Sequence, residues 1–325
     1  MYEASRPDRK SEGDPELREQ LIKMAKARSA FRYPLPDDDG NQSMRLETVV
    51  GWRDWKFPGP VMYTQMATQS GGPLDIARAT GDPELIGYDQ QMLADNQFGK
   101  AVKKIMEHRG WEPLNTLMRM PGNYEWMMKQ KPQEHRLPMT KGEPNYVFAD
   151  PGVGVIAIKQ DEHVLYCSLY WRARYAVNNL ARVHHMTPTI ERDVTVNIDS
   201  AYSDSGAFYT IPDRTDQVFS HKFAKDYEKA GMHLADAGVR QPIARVPSSV
   251  KDFKPGRENI HAGKATVYGM AYGPFCIVMN CGRRTETIPI PKEYRGSKDL
   301  VTGEVFKKGK MKVKRGVTAV LYREQ

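Results

Sequence analysis

The sequence predicts an α+β protein in which a helical first part, residues 1–142, is followed by an antiparallel β-sandwich, residues 143–325. Helix start and stop signals recur before residue 140, whereas short runs that alternate apolar and polar residues begin near Tyr146. Turn residues, not helices, separate the later runs, which is typical of antiparallel sheets packed face to face. The boundary falls at Lys141–Pro144, a Gly/Pro linker.

Five helices are predicted in the first part. Asp14–Pro15 and Asp82–Pro83 each pair an N-cap residue with a proline at the first helical position. A third helix carries the apolar residues of Ala101–Met106 and ends near Gly110. The last two, which are shorter, span Pro113–Met120 and Asn123–Lys129. Between the first two helices, Arg32–Gly72 shows little periodicity, and a loop of this length is uncommon unless it has a function.

Eight strands are predicted in the second part from period-two alternation and β-branched content. They span Gly152–Lys159, Val164–Arg174, Val194–Ile198, Ala265–Met270, Phe275–Asn280, Thr287–Ile290, Met311–Lys314 and Val317–Tyr322. After Arg174 two alternatives remain open. In the first, the chain becomes helical, since a helical stripe is formed by Ala173, Val177, Leu180, Ala181 and His184. In the second, Asn178–Asn179 forms a bulge and another strand follows.

Composition favours a globular protein with an anionic partner. Net charge is +8, and no apolar run approaches the roughly 20 residues that span a bilayer, so no membrane insertion is expected. Nucleic acid is not the expected partner, because the densest basic cluster, Lys307–Arg315, alternates with apolar residues as on an edge strand. Met1–Asp14 lacks the apolar segment of a signal peptide. The three cysteines form no disulfide framework or zinc spacing, and Cys167 is predicted to be a core residue.

The strand around Tyr170 carries the strongest functional signal. Its even positions are Tyr166, Ser168, Tyr170, Arg172 and Arg174, and its odd positions are apolar. Aligned tyrosines and arginines suit an acidic sugar polymer, because guanidinium groups hold carboxylates and phenol rings stack on sugars. The alternative is a cross-strand ladder with a structural role. His184–His185 follows, and one histidine of such a pair could face a site.

A second candidate site lies in the long loop. Trp52, Arg53, Trp55 and Phe57 stand in a Pro/Gly-rich segment without periodicity, so they cannot all face a core. Such aromatic residues stack on sugar rings or anchor the loop to its own domain, and both interpretations remain open.

The available side chains allow two kinds of glycan cleavage. Hydrolysis needs two carboxylic acids in one cleft, for which Glu47, Asp54 and Glu125 are available but are not paired by any motif. Eliminative cleavage of a uronate needs a group that neutralises the carboxylate, a base and an acid. Tyrosine, histidine, arginine and asparagine can fill those roles, and they are concentrated between Tyr166 and His185.

Several collinear segments resemble a family of polysaccharide lyases of the Bacteroidota type. They are residues 165–184 (LYCSLYWRARYAVNNLARVH), 136–139 (RLPM), 241–244 (QPIA), 254–259 (KPGREN) and 262–264 (AGK). The likeness extends from about Arg136 to the C-terminus and is weaker over the helical part. The chain is similar to lyases with an α/α toroid followed by β-sandwich domains, in particular those acting at rhamnose–glucuronate linkages.

The resemblance implies that the helical part is the end of a toroid and that the substrate is a uronate-containing polysaccharide or oligosaccharide. By residue type it implies Tyr170 and His184 as acid and base, with Arg172 as a further catalytic group. It implies substrate contacts for Arg174 and Asn178. Trp52, Arg53 and Trp55 of the long loop are further candidates for substrate contacts, because aromatic residues stack on sugar rings. No cofactor is expected.

Family members are normally exported to the periplasm or secreted, and a complete toroid has more helices than this chain. We therefore expect a C-terminal part of a larger enzyme, whose missing portion is helical. The alternatives are a glycoside hydrolase that uses the Glu47/Asp54 loop and a non-catalytic glycan-binding or structural module.

Overall fold

The computed structural model describes residues 13–32, 45–46, 62–63, 73–94, 107, 114–172, 177–178, 181–201, 207–210, 240–243 and 265–324. These residues have mixed α+β structure with antiparallel sheets, as predicted for the fold class. They divide into a helical unit that extends to Tyr146 and a strand-rich unit that begins its main segment at Val147.

Four helices form most of the helical unit. They are α1 (Pro15–Ser29), α2 (Pro73–Thr80), α3 (Pro83–Ala94) and α4 (Leu114–Met128), and a two-stranded pair joins β1 (Arg45–Leu46) to β2 (Met62–Tyr63). The predicted capping is confirmed, because Asp14 Oδ1 accepts hydrogen bonds from the Glu16 and Leu17 amides, and Asp82 Oδ1 accepts one from the Leu85 amide.

Three helical segments compare with the predictions in different ways. Helix α2 was not predicted, because its eight residues are too few for a clear apolar period. The two short helices expected before and after Pro121 are one helix, α4, which contains that proline. Pro121 is exposed, so its missing N–H is not a buried defect. The predicted helix Ala101–Met106 lies outside the described residues.

The helices share one apolar core and are joined by hydrogen bonds. The core comprises Ala25, Leu74, Ala77, Leu85, Ile86, Tyr88, Met92, Met127 and Leu137. Arg18 donates from Nη2 to the Thr80 carbonyl at 2.6 Å, and the Leu137 amide donates to Gln91 Oε1 at 2.8 Å. Asp89 is buried at 1% exposure, and neither of its carboxyl oxygens has a hydrogen-bond partner in the described part of the chain.

The first sheet of the strand-rich unit has five strands in the order β3-β4-β5-β8-β9. They are β3 (Tyr146–Asp150), β4 (Val155–Gln160), β5 (His163–Ser168), β8 (Ala181–Met186) and β9 (Glu191–Val196). Residues 181–186 are therefore a strand, and the helical alternative after Arg174 is wrong over this segment. The short strands β6 (Trp171–Arg172) and β7 (Val177–Asn178) pair with each other.

The second sheet has the order β10-β13-β14-β18-β16. Its strands are β10 (Asp199–Ala201), β13 (Val267–Tyr272), β14 (Phe275–Asn280), β16 (Lys298–Asp299) and β18 (Thr318–Tyr322). Two further pairs join β11 (Ala207–Thr210) to β12 (Arg240–Ile243), and β15 (Glu286–Pro289) to β17 (Lys310–Val313). All eight predicted strands overlap observed ones, and that at Phe275–Asn280 has the predicted bounds.

One apolar cluster contains residues of both five-stranded sheets. The first sheet contributes Ile156, Ile158, Leu165, Cys167 and Val183, and the second contributes Tyr268, Met270, Phe275, Ile277 and Val320. Cys167 has no exposed surface, as predicted for a core residue. Another cluster, on the other side of β14, includes Val278, Leu321, Met311 and Val313.

Candidate functional site

The predicted solvated face of tyrosines and arginines is wrong for the residues that the structure describes. Tyr166 and Ser168 have no exposed surface, and Tyr170 is 3% exposed. The alternation also ends early, because β5 stops at Ser168 and the chain bends at Leu169–Tyr170 before β6 begins. Arg172 therefore lies in a different strand pair, and the described residues 166–172 do not form one continuous strand face.

Tyr170 occupies a structural position in the described residues. Its ring stacks on Tyr268 with centroids 4.5 Å apart. Its hydroxyl lies 2.6 Å from the Pro151 carbonyl oxygen and 3.0 Å from that of Gly152. These contacts fix the turn before β4 against the core, because Gly154 in that turn has a positive φ and lies directly beneath the phenol ring. An acid role for Tyr170 stays a prediction.

His184 is buried on the other face of the first sheet. It has no exposed surface, and its Nε2 lies 3.0 Å from Glu191 Oε1 and 3.8 Å from Asp193 Oδ1. Its ring faces Tyr166, the partner of His184 in the β5–β8 register. The carboxylates hold the imidazole in one orientation, which agrees with a structural histidine.

The remaining predicted residues are not brought together by described side chains. Asn178 lies opposite Trp171 and Arg172 lies opposite Val177 in the β6–β7 pair, where only the backbone is described. Arg174, Trp52, Arg53 and Trp55 lie outside the described residues, as do Glu47 and Asp54. Glu125 is an exposed residue of α4.

The register of the first sheet assembles a different set of polar residues. On β5 the core-facing side chains are Cys167, Leu165 and then His163, so the apolar row ends in a histidine. His185 lies opposite Leu165, and Arg192 lies opposite His185, so both project from the same side of the sheet as His163. The core-facing side of the sheet therefore becomes polar at this end.

Aromatic residues of the second sheet complete this arrangement, which we name the histidine cluster: His163, His185, Arg192, Tyr272 and Tyr322. The two imidazoles stack at 5.2 Å, with His163 Nδ1 2.9 Å from His185 Nε2. Tyr272 meets His185 edge-on at 5.5 Å, and Tyr322 meets His163 at 6.3 Å. His163 and Tyr272 are half-buried and Arg192 is exposed, so the cluster opens to solvent.

Burial and charge set the protonation states of the cluster. Burial, with His163, Arg192 and His184 nearby, lowers the pKa of His185 to about 4. Burial also lowers the pKa of His163, against the opposing effect of Asp161 and Glu162. Burial raises the pKa of Tyr272, and burial with a hydrogen bond to Asp161 raises the pKa of Tyr322 to about 12. Near neutral pH the cluster therefore holds neutral His185 and protonated phenols.

The 2.9 Å contact between the imidazoles constrains their tautomers. With both rings neutral, one nitrogen must donate and the other accept. If His163 Nδ1 carries the proton, His163 Nε2 has a free lone pair; in the other tautomer His163 Nε2 carries the proton. The pair can thus present either a base or a donor at the half-buried His163 ring.

The described residues contain no group of three His, Cys, Asp or Glu side chains that could hold a metal ion. None of the described helices is long and apolar enough to cross a membrane. Searches against protein-family models, curated proteins and solved structures found no match.

Sequence reasoning identified His184 and missed His163, Tyr272 and Arg192. Extending the period-two pattern of β5 back by two residues from Leu165 would have placed His163 on the core face. The same parity places His185, not His184, beside Val183 on that face.

Proposed function

We propose that this chain is a carbohydrate-active protein that cleaves a uronate-containing glycan by β-elimination, with the histidine cluster supplying the proton-transfer groups. The observation that supports the proposal is the stacked His163–His185 pair, with Tyr272 edge-on to His185 and Arg192 opposite His185 in the β8–β9 register. We further propose that the two five-stranded sheets pack as a β-sandwich and that the helical unit corresponds to the end of an α/α toroid, as the resemblance implies.

Each member of the cluster has a chemical role in this proposal. The Arg192 guanidinium binds the uronate carboxylate and so makes the adjacent C–H more acidic. His163 Nε2 removes that proton as a base, while His185 Nε2 accepts the hydrogen bond from His163 Nδ1. Tyr272 donates its phenol proton to the glycosidic oxygen as the C–O bond breaks.

The proposed step balances without water or a redox partner. The C–H and C–O bonds break, a C=C bond forms in the uronate, and the leaving sugar gains a hydroxyl proton. Imidazolium and phenolate then remain, and transfer of one proton from His163 to Tyr272 restores both groups. The acid and base roles expected of Tyr170 and His184 pass to Tyr272 and His163, because the first two side chains are buried.

The proposal is tested by incubating the protein with a panel of acidic glycans. Ultraviolet absorbance reports the unsaturated uronate, and mass spectrometry reports the released sugars. New absorbance with products that lack one water supports elimination. Hydrated products without absorbance contradict it and favour the hydrolase with Glu47 and Asp54. Binding without release favours the non-catalytic glycan-binding module.

Two variants assign the roles within the cluster. We expect His163→Gln and Tyr272→Phe to lower turnover about 100-fold or more, because each removes a proton-transfer group. His135→Gln is the matched control for the first, since His135 is exposed in the helical unit. Unchanged turnover in both cluster variants would remove the histidine cluster from the mechanism.

A further inference from the structure

A row of exposed cations lies on and beside the β15–β17 pair. We name it the basic ribbon. It consists of Arg283, Arg284, Lys307, Lys308, Lys310, Lys312, Lys314 and Arg315, all of which are exposed. Residues 283–287 and 307–315 together hold these eight cations and one carboxylate, that of Glu286.

The register of the pair places the central lysines on one face. Lys310 and Lys312 are exposed, whereas Met311 and Val313 are buried in the apolar cluster beside β14. Their partners across the pair are Pro289 and Thr287, which carry no charge. Two strand residues advance the chain by about 6.8 Å, so the lysine side chains stand at that spacing along the strand.

Hydrogen bonds from one buried side chain bring the arginines to the end of this row. Asn280 Nδ2 donates to the Arg284 carbonyl at 2.8 Å and to the Val313 carbonyl at 2.9 Å. The Gly316 amide donates to the Asn280 carbonyl at 2.9 Å. The loop that carries Arg283 and Arg284 is thereby fixed beside the segment that carries Lys314 and Arg315.

The ribbon has no matching anions within the described part of the chain, where no ion pair involves any of its cations. Lysines on an edge strand discourage pairing with other strands, and this accounts for Lys310 and Lys312. It does not account for the arginines of the neighbouring loop or for Lys307 and Lys308, which precede the strand. The concentration of charge therefore calls for an anionic partner.

We propose that the basic ribbon binds an acidic polysaccharide along its length, outside the histidine cluster. From Lys310 to Lys314, along β17 and the residue after it, the chain advances by roughly 13 Å, so more than one charged sugar of a polymer can be held at once. A nucleic acid fits less well, because single strands are held by stacking on aromatic rings and the ribbon contains none. The inference rests on the proposed function for the choice of polymer.

The test measures binding of polygalacturonate, a polymer of uronate, by isothermal calorimetry in low and moderate salt. The variant Lys310→Gln/Lys312→Gln/Lys314→Gln should bind about ten-fold more weakly than wild type and lose part of its salt dependence. The matched control is Lys129→Gln/Lys131→Gln/Lys141→Gln, which removes the same charge from exposed lysines of the helical unit and should bind like wild type.

Three results would overturn the proposal: equal affinities of the two triple variants, equal binding of an uncharged polysaccharide, or tighter ribbon-dependent binding of single-stranded DNA. The measurements are repeated with His163→Gln, which lacks the proposed base and leaves the polymer intact. A protein that binds through the ribbon but cleaves no glycan would contradict the proposed function alone. If short oligosaccharides are cleaved, the ribbon variant should cleave them at the wild-type rate and lose efficiency only on the polymer.

Discussion

Replacing His185 with glutamine should make the free energy of unfolding less sensitive to acid. Glutamine keeps a polar group near the imidazole Nε2 that contacts His163, but it takes up no proton. In the wild type the pKa of His185 is lowered to about 4, whereas histidine in the unfolded chain has a pKa of about 6.5. Between these values the unfolded chain binds more protons, so the contribution of His185 to stability is complete above about pH 6.5 and is lost as the pH falls towards 4.

The size of the effect follows from the two pKa values. One pH unit corresponds to about 1.36 kcal/mol, so the interval from 6.5 to 4 sets an upper value of about 3.4 kcal/mol. The His163 side of the pair is half-buried and admits solvent, which screens part of the interaction. We therefore expect the wild type to lose about 1.7 kcal/mol more than His185→Gln between about pH 7 and pH 4.

Urea unfolding at several pH values, followed by tryptophan fluorescence and far-ultraviolet circular dichroism, measures this difference. Carboxylates titrate in the same range, but they are common to both proteins, so the difference between the two curves isolates His185. His135→Gln serves as the control and should remain parallel to wild type. Parallel curves for His185→Gln as well would refute the reasoning, because they would mean that His185 titrates alike in the folded and unfolded chains.

Three further predictions, the last with a control variant, test other parts of the structure. Burial raises the pKa of Asp89, so the folded chain keeps a proton that the unfolded chain releases above about pH 4. Asp89→Asn should therefore gain stability relative to wild type as the pH rises from about 4.5 to 8, as measured by urea unfolding. A stability difference that stays constant with pH would contradict this. Tyr170→Phe should lower the free energy of unfolding by about 1 kcal/mol in thermal melts, because the hydrogen bond from its hydroxyl to a carbonyl is lost. Glycan turnover should not change. Lost turnover at full stability would instead make Tyr170 the acid. Gly154→Ala should lower the free energy of unfolding by more than about 2 kcal/mol, because its Cβ would lie 2.7 Å from the Tyr170 ring. The control Gly142→Ala is also at positive φ, but no atom lies within 4 Å of its Cβ. It should lower the free energy of unfolding by only about 1 kcal/mol in the same melts.

Helices α1 and α3 and strand β14 could be predicted because local signals specify them. The Asp–Pro pairs at the starts of α1 and α3 satisfy the first free amides of each helix, and this depends only on neighbouring residues. Strand β14 is likewise bounded by turn residues, with Pro274 before it and Gly282 shortly after it. Such signals do not depend on what the element packs against.

The candidate site could not be predicted because it depends on burial and cross-strand register. Alternation in β5 assigns residues to two faces but does not say that both faces are covered, as they are for Tyr166 and Leu165. The contact between His163 and His185 joins residues 22 positions apart. Tyr272 approaches from the other sheet, and no local pattern indicates that approach.

The exposure of the histidines explains why the cluster, and not His184, suits proton transfer. His184 is enclosed and held by carboxylates, so a substrate C–H cannot reach its nitrogen atoms. His135 is open to solvent on the surface of the helical unit. His163 lies between these limits: one nitrogen is held by His185, and the ring stands at the end of an apolar row where water still enters. A base needs both features, because orientation aligns its lone pair with the substrate and an open ring edge lets the substrate approach it.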